Sequence, residues 1–341
     1  MNFKEASNAV RRPIILVYLG KRIPRYFIKN LNYLCEFQNR PIVLITDVSA
    51  SRKLKIQERV RIVDANQFFD GWKTQSKSSY RGFFWDKTIK RLYVLFRFVE
   101  AEEILECIHI EGDVWVAPYA NLDFELERNT CIYPSMSGNR GIGSIMFIEN
   151  YRNKTSAELL RLMSTHSGLT DMQLLGSFFR LRPDIFKPLP SGPGIKSENQ
   201  DLYDGAVLGM HLFGEHARNR FGFYRMFWDY PDLAIDWGKS QFEINSHSQL
   251  VLTYERKDYI LNSLHLHSKN MKMFTKDWKR TLDSQLLYRK KMGQRITKFQ
   301  LIGLAESMLD YVRLIGPYIK RKIFKLSHSV NREVKGKKGV S

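Results

Sequence analysis

The sequence predicts an α/β protein with a mainly parallel, doubly wound central sheet flanked by helices. Short apolar runs of the length of buried strands alternate with amphipathic segments of helical spacing. The predicted strands are Ile14–Tyr18, Pro41–Thr46, Val60–Val63 and Cys107–Ile110, and the predicted helices between them are Pro24–Cys35 and Asp86–Val99. Strands joined by crossover helices form parallel sheets, and such sheets bind ligands beyond the carboxyl ends of their strands.

The second half of the chain is predicted to be more mixed. Strands are expected at Ser144–Ile148, Leu250–Thr253 and Tyr259–Leu264, and helices at Thr155–Ser164 and Asp171–Phe179, the second of these capped by Thr170. Residues 187–224 are rich in Gly and Pro and are expected to form long loops. Gly138–Gly143 is interpreted as a flexible loop at the site, and the pattern beyond Trp278 is helical.

Positive charge is concentrated at the carboxyl end. The 341 residues carry a formal net charge of +19, and Lys279–Ser341 contains 16 basic residues against four acidic ones. A basic surface attracts polyanions. An apolar stripe from Leu301 to Ile315 leaves two readings open: an interfacial helix on an anionic membrane, or a helix packed on the body of the protein. Nucleic acid is not an expected partner, because no recognised nucleic-acid module accompanies the charge.

Cysteine content and hydropathy predict a cytoplasmic protein. Three separated cysteines give neither a disulfide framework nor a zinc cluster, which favours a reducing compartment. The apolar run Ile14–Leu19 is too short for a signal-peptide core or a membrane span. We therefore expect a cytoplasmic chain, with peripheral attachment to the inner face of the cytoplasmic membrane if the basic region binds lipid.

The main candidate site is Glu111-Gly112-Asp113, directly after the predicted strand Cys107–Ile110. Two acids separated by one small residue can point at a common site, and carboxylate oxygens can hold a divalent cation against phosphates. Gly112 would also permit close approach of a nucleotide. An ordinary strand-to-turn junction is the alternative interpretation of the triplet.

The run from Trp85 to Val116 resembles the metal-motif region of GT-A glycosyltransferases, in which a helix with an Arg-Leu pair precedes a strand that ends in an Asp-x-Asp motif. This chain has Glu in the first acidic position. The resemblance implies a GT-A fold and a Mn²⁺ or Mg²⁺ ion held by Asp113. It implies that Glu111 binds metal or the ribose hydroxyls, and that Arg91 contacts the diphosphate. Tyr18, at the end of the first strand, is a candidate for contact with the nucleotide base.

Three later segments resemble the same family in the expected order: Thr170–Leu175, Tyr203–Gly209 and Leu264–Lys269. The first implies that Asp171 contacts the sugar or acts as a general base, although an acid at a helix start also has a purely structural reason to be there. The second implies that Asp204 and Gly205 border the sugar pocket. The third implies that His267 completes the metal site, with His265 beside it and Lys269 near the phosphates.

The resemblance implies a metal-dependent glycosyltransferase that uses a nucleotide-diphosphate sugar donor and a glycan or lipid-linked acceptor, in the synthesis of bacterial surface polysaccharide or lipopolysaccharide. Residues 1–278 would form the catalytic domain, with a nucleotide-binding part at about 10–120 and a sugar and acceptor part at 121–278. Residues 279–341 would form a basic helical extension. The alternatives are a nucleotidyltransferase and a non-catalytic basic protein that binds membrane or nucleic acid.

Overall fold

The computed structural model describes residues 11–51, 59–73, 84–137, 140–166, 168–192, 200–213, 239–266 and 271–293. The chain divides into two compact units, one of Met1–Glu215 with Trp228–Leu286 and one of His216–Phe227 with Leu287–Ser341. All described residues up to Leu286 belong to the first unit, which carries the candidate site. The domain boundary expected at residue 278 stays a prediction.

The described residues form thirteen strands and seven α-helices. The strands are β1 (Ile14–Tyr18), β2 (Ile42–Thr46), β3 (Val60–Asp64), β4 (Glu106–Ile110), β5 (Val114–Val116), β6 (Cys131–Ser137), β7 (Arg140–Gly141), β8 (Ile145–Glu149), β9 (Phe186–Leu189), β10 (Asp201–Tyr203), β11 (Ser240–Ile244), β12 (Leu250–Tyr254) and β13 (Lys257–His265). The helices are α1 (Arg25–Phe37), α2 (Val48–Ser51), α3 (Phe84–Ala101), α4 (Lys154–Thr165), α5 (Asp171–Leu181), α6 (Val207–Phe213) and α7 (Trp278–Gly293).

The larger sheet has the strand order β3-β2-β1-β4-β8-β6-β7, and β9 pairs with β6. Strands β3, β2, β1 and β4 are parallel neighbours, and β9 is parallel to β6, whereas β8 runs antiparallel to both β4 and β6. Because β1 and β2 are buried on both faces, they are continuous apolar runs in the sequence, whereas β3 includes the partly exposed Arg61 and the exposed Ile62. The predicted fold class, α/β with a mainly parallel central sheet, is confirmed.

Helices cover both faces of this sheet. Ile15 and Val17 of β1 pack into a core with α3, α4 and α5, whereas Ile14 and Leu16 pack with Phe27 and its neighbours on α1. Alternate side chains of a strand point to opposite faces, so each face of β1 serves a different helical layer. Helix α5 begins with the predicted cap: Thr170 and Gln173 form a reciprocal capping box.

A second, five-stranded sheet carries the other half of the site. Its order is β10-β13-β12-β11, and β5 pairs with the end of β13. The register places His265 opposite Val114 and Leu264 opposite Trp115. Since β5 follows β4 after three residues, this pairing brings the carboxyl end of β13 against the acidic triplet. The sequence had predicted β12 and β13 but not the pairing with β5.

Two loop predictions are wrong for the residues that the structure describes, and the remaining parts of both segments (138–139, 193–199 and 214–224) lie outside the described residues. Residues 186–213 contain β9, β10 and α6 in place of long loops, because short apolar segments between the Gly and Pro residues add strands to both sheets. Arg140–Gly141 forms strand β7 against β6, where a Cβ on Gly141 would lie 2.6 Å from Tyr133 and 2.8 Å from Leu175. Gly141 is thus a packing position and not part of a flexible loop.

The predicted helical character after Trp278 is confirmed as far as Gly293. The apolar stripe from Leu301 to Ile315 lies outside the described residues, so its proposed membrane contact stays a prediction. In the described ranges, no helix combines the length and the apolar character that crossing a membrane requires. The three cysteines, Cys35, Cys107 and Cys131, are buried free thiols.

Candidate active site

Glu111, Asp113 and His265 converge at the carboxyl end of β4. One ligand atom from each lies within 4.8 Å of the others. The imidazole Nε2 of His265 is 3.4 Å from Asp113 Oδ2 and 3.7 Å from Glu111 Oε2. The side chains are only 8–13% exposed. Two carboxylates and an imidazole therefore lie close together and are largely shielded from solvent. They are at the carboxyl end of a strand, which is where parallel sheets bind ligands.

Backbone pairing, and not chance proximity, holds these residues together. The amide of Leu266 donates to the carbonyl of Asp113 at 2.8 Å, continuing the ladder between β5 and β13. Within the triplet, Val114 N donates to Glu111 O at 3.1 Å, which closes a tight turn between β4 and β5. The pairing register of β5 with β13 thus determines the relative positions of the two acids and the histidine, which are about 150 residues apart in the sequence.

The orientation of His265 is defined by its other ring nitrogen. Nδ1 lies 2.6 Å from the carbonyl oxygen of Gly205. A carbonyl can only accept a hydrogen bond, so Nδ1 carries the proton, and in the neutral imidazole the lone pair is on Nε2. That lone pair faces Asp113 and Glu111. A histidine that binds metal through one nitrogen usually donates its other N–H in this way.

Arg91 joins the same cluster from α3. Its Nη2 is 2.6 Å from Glu111 Oε1, and both side chains are largely shielded from solvent. This charge-assisted bond uses one oxygen of Glu111, while the other oxygen is the one nearest His265. The carboxylate is therefore held with one edge toward Arg91 and the other toward the triad. The structure brings Arg91 to the site, but its predicted contact with a diphosphate stays a prediction.

Asp171, the first residue of α5, is coupled electrostatically to Arg91 and Glu111. Burial raises the pKa of Asp171 from its ordinary 3.8 to about 6, and the negative charge of Glu111 adds to this rise while Arg91 opposes it. Its Oδ1 accepts the amide of Met172 at 3.0 Å. A carboxyl group with a pKa near 6 can exchange a proton close to neutral pH, which suits a general base.

Two buried residues that no motif in the sequence marks support the turn, Asn30 through its side chain and Ser144 through its backbone. Asn30 on α1 donates through Nδ2 to the carbonyls of Gly112 at 3.2 Å and Val114 at 2.9 Å. The backbone carbonyl of Ser144 accepts the Glu111 amide at 2.8 Å. Both contacts join residues 30 or more positions apart, so no local pattern could have identified them.

Gly112 has a packing role that differs from the one expected. A Cβ at this position would lie 1.9 Å from the ring of Phe27, which is only 2% exposed. The Cβ direction of Gly112 therefore points at a core aromatic ring and not at space left for a nucleotide. Phe27 also meets Tyr18 edge-to-face, with ring centroids 5.3 Å apart. The Tyr18 hydroxyl donates to the Arg22 carbonyl at 2.6 Å, and contact of Tyr18 with a base stays a prediction.

Asp204 and Gly205 lie beside the triad but are turned toward the protein. The Asp204 carboxylate is fully buried and accepts backbone N–H groups through both oxygens. The carbonyl of Gly205 accepts the hydrogen bond from the His265 ring. A Cβ added to Gly205 would lie 3.1 Å from the Cβ of Pro134, so there is little room for a side chain here. His267 and Lys269 lie outside the described residues, so their predicted roles at the metal and the phosphates stay predictions.

The donor set fits a divalent cation. Two ligand atoms that each lie about 2.1 Å from one ion, at an angle of about 90°, are roughly 3 Å apart. His265 Nε2 is 3.4 Å from Asp113 Oδ2 and 3.7 Å from Glu111 Oε2, so small side-chain shifts would bring these atoms to that separation. Carboxylate oxygen with imidazole nitrogen suits Mn²⁺ and related first-row ions. The described residues provide three ligands, which leaves coordination positions for phosphate oxygens or water.

Comparison with solved structures gives remote similarities. The chain is similar to the galactosyltransferase LgtC, solved with donor and acceptor sugar analogs, at 10% identity over 52% of this chain and 73% of that chain, with a TM-score of 0.33. It is similar to the glycosyltransferase GlyE of Streptococcus pneumoniae TIGR4 at 15% identity and a TM-score of 0.35, over 56% of this chain and 46% of GlyE. No family model and no curated protein matches the chain. Similarities at this level do not identify a reaction, so the functional conclusion depends on the site itself.

Proposed function

We propose that the protein is a metal-dependent glycosyltransferase that moves a sugar from a nucleotide-diphosphate donor to a glycan or lipid-linked acceptor. The observation that carries this proposal is the Glu111–Asp113–His265 triad beyond the carboxyl end of β4. Sugar transfer from such a donor requires the leaving diphosphate to be neutralised. The resemblance of residues 85–116 to the GT-A metal motif supports the same reaction.

Each residue has a distinct part in the proposed reaction. Asp113 and His265 would hold the cation, and Glu111 would contribute its Oε2 while Arg91 fixes its other oxygen. A bound Mn²⁺ or Mg²⁺ would stabilise the negative charge of the diphosphate. Asp171, with its pKa raised to about 6, would accept the proton of the acceptor hydroxyl or orient the sugar. Surface polysaccharide or lipopolysaccharide synthesis at the inner face of the cytoplasmic membrane is the proposed setting.

The first test of this function is a thermal-shift measurement on the full chain with UDP and GDP, each with and without Mn²⁺, followed by transfer or hydrolysis assays on common nucleotide sugars. We expect one nucleotide to raise the melting temperature only when Mn²⁺ is present. Asp113→Asn should abolish this shift and lower the transfer rate at least about 100-fold, because a charged ligand is lost from a shielded site.

Asp123→Asn provides a matched control. Asp123 is an exposed carboxylate that pairs with Arg40 at 2.5 Å, away from the triad, so its variant should bind Mn²⁺ and nucleotide as the wild type does. A wild-type protein without any Mn²⁺-dependent nucleotide response would contradict the proposed function. A response that survives Asp113→Asn would contradict the assignment of the metal site.

A further inference from the structure

We propose that Asp204, Gly205 and Gly209 form a positioning frame for the imidazole of His265, in which Asp204 acts through His265 and does not touch the sugar. We call these three residues the His265 frame. The inference rests on the proposed function in one respect, namely that His265 is a metal ligand. It assigns a role to the Tyr203–Gly209 segment that neither its sequence nor its resemblance indicated.

The first contact of the frame is the Asp204 carboxylate. Its Oδ1 accepts the amides of Ala206 at 2.9 Å and Leu208 at 3.0 Å, and its Oδ2 accepts those of Gly209 at 2.7 Å and His265 at 3.0 Å. The residue is 0% exposed. Four N–H donors occupy both oxygens, so one side chain ties the start of α6 to the last residue of β13. A buried carboxylate with these partners has no remaining surface for a sugar hydroxyl.

The second contact is made by the next residue. The carbonyl of Gly205 accepts the Nδ1–H of His265 at 2.6 Å, which fixes both the tautomer and the rotation of the ring. Because Asp204 holds the main chain of His265 and Gly205 holds its ring, the imidazole is fixed at both ends of its side chain.

The third contact is the close packing of α6 on β13. A Cβ on Gly209 would lie 2.2 Å from the carbonyl oxygen of His265 and 2.9 Å from Asp204 Oδ2. Contacts below 3.0 Å with backbone atoms cannot be relieved by a side-chain rotation, so only glycine allows this approach. The spacing between Gly205 and Gly209 places one glycine at the ring and the other at the backbone of the same histidine.

Ser144 links the frame to the acidic side of the triad. Its hydroxyl donates to the carbonyl of Asp204 at 3.2 Å, and its own carbonyl accepts the amide of Glu111 at 2.8 Å. The frame and the Glu111 backbone are therefore anchored on one residue of the β7–β8 connection. A displacement of Asp204 would alter the distance between the imidazole and the carboxylates, on which the affinity for a metal depends.

The test measures Mn²⁺ affinity in the full chain, from the electron paramagnetic resonance signal of free Mn²⁺, for the wild type, Asp204→Asn and Gly209→Ala. In Asp204→Asn an amide NH₂ replaces one accepting oxygen and faces two N–H donors. In Gly209→Ala the added methyl group pushes on His265. Loss of partners behind a metal-binding histidine weakens binding about 10- to 100-fold, and we expect a loss of that size in both variants.

Asn150→Ala is the matched structural control. Asn150 is 1% exposed, accepts the Ser156 amide at the start of α4 at 2.8 Å, and lies at the opposite end of the sheet from the triad. This variant should lower the melting temperature and leave Mn²⁺ affinity unchanged. If both frame variants behave in the same way as this control, the frame is a purely structural feature and the inference is overturned.

A second measurement does not depend on metal. Long-range ¹H–¹⁵N spectra of the metal-free wild type should show His265 with its proton on Nδ1, and a proton on Nε2 alone would overturn the frame even if Asp204→Asn failed to fold. A wild type that binds no Mn²⁺ would contradict the proposed function, while the spectrum would still decide on the frame. Mn²⁺ binding that Asp113→Asn abolishes and the frame variants leave intact would contradict only the frame.

Discussion

Strand β4 has an Arg–Glu ion pair at each end, and the two pairs have different surroundings. At the amino end, Arg12 Nε is 2.5 Å from Glu106 Oε2, and the same guanidinium donates to the carbonyl of Phe124 at 2.7 Å. The Glu106 side chain is 42% exposed, so solvent screens its charge. This pair fastens the loop that contains Phe124 to the amino end of β4.

At the carboxyl end, Arg91 meets Glu111 at 2.6 Å, but Glu111 is only 13% exposed. Its second oxygen is directed at His265, next to Asp113. The cluster holds two carboxylates and an imidazole with one permanent positive charge beside them. Grouping negative charge in a shielded place costs free energy unless a cation joins it. An ion pair alone therefore does not indicate a functional site. What distinguishes Glu111 from Glu106 is that its carboxylate lies beside Asp113 and His265.

The largest expected effect distinguishes the two glutamates. Glu111→Gln should lower the metal-dependent transfer rate about 100-fold, since it removes a charge from the cation-binding cluster. Glu106→Gln should leave the rate within about twofold and lower stability by less than about 1 kcal/mol, as expected for a partly exposed ion pair. Initial rates at saturating Mn²⁺ and urea unfolding of both variants check this. Equal losses of activity would remove the distinction between the two ends of β4.

A smaller effect concerns Gly112, between the two acids. Gly112→Ala should reduce the free energy of unfolding by about 1–3 kcal/mol, because its Cβ would lie 1.9 Å from the Phe27 ring in a closely packed core. Adding Phe27→Leu should recover part of that loss, and a double-mutant cycle from urea unfolding measures the coupling. If the two changes were additive, Gly112 would not be a packing position and the nucleotide-approach interpretation would regain support.

The elements of the first half could be predicted because their signals are local. Strand β1 was predicted at Ile14–Tyr18 and occurs there, and α3 extends two residues beyond each end of its predicted span. Each of these depends on hydrophobic periodicity within one segment. The capping box of Thr170 is also local, since its partner Gln173 is three residues away.

The site could be predicted only in part, because long-range pairing completes it. The acidic triplet follows a recognisable strand, but its histidine arrives through the pairing of β5 with β13. The alternation of a strand places His265 and His267 on one side and cannot choose between them. Among the described residues, His265 is the candidate ligand because its Nε2 lies beside Asp113 and Glu111. Its other nitrogen contacts Gly205 O, which joins positions 60 residues apart.

The last expected effect is a pH dependence at Asp171, which interacts electrostatically with Arg91 and Glu111 at the carboxyl end of β4. Burial raises the pKa of Asp171 to about 6 in the folded protein, whereas the unfolded chain ionises near 3.8. The folded state therefore holds the proton more tightly, and this contribution to stability is complete below pH 3.8 and is lost as the pH rises through about 6. Asp171→Asn mimics the protonated side chain at every pH. The variant should thus gain stability relative to the wild type between about pH 4 and 6, by on the order of 2 kcal/mol, with no further change above that range.

Urea unfolding of both proteins at a series of pH values, with a chelator to keep the site free of metal, checks this difference. Asp184→Asn gives a control of opposite sign, since the hydrogen bond from Arg182 lowers the pKa of Asp184. The ionised carboxylate stabilises the fold, so its variant should lose stability relative to the wild type as the pH rises toward 3.8, with the loss complete above that pH. A flat difference for Asp171→Asn would mean that its carboxyl group is not shielded. In that case Asp171 would be an ordinary helix-start acid with the solvated character of Glu106, and the proton-accepting role at the site would have to belong to another group.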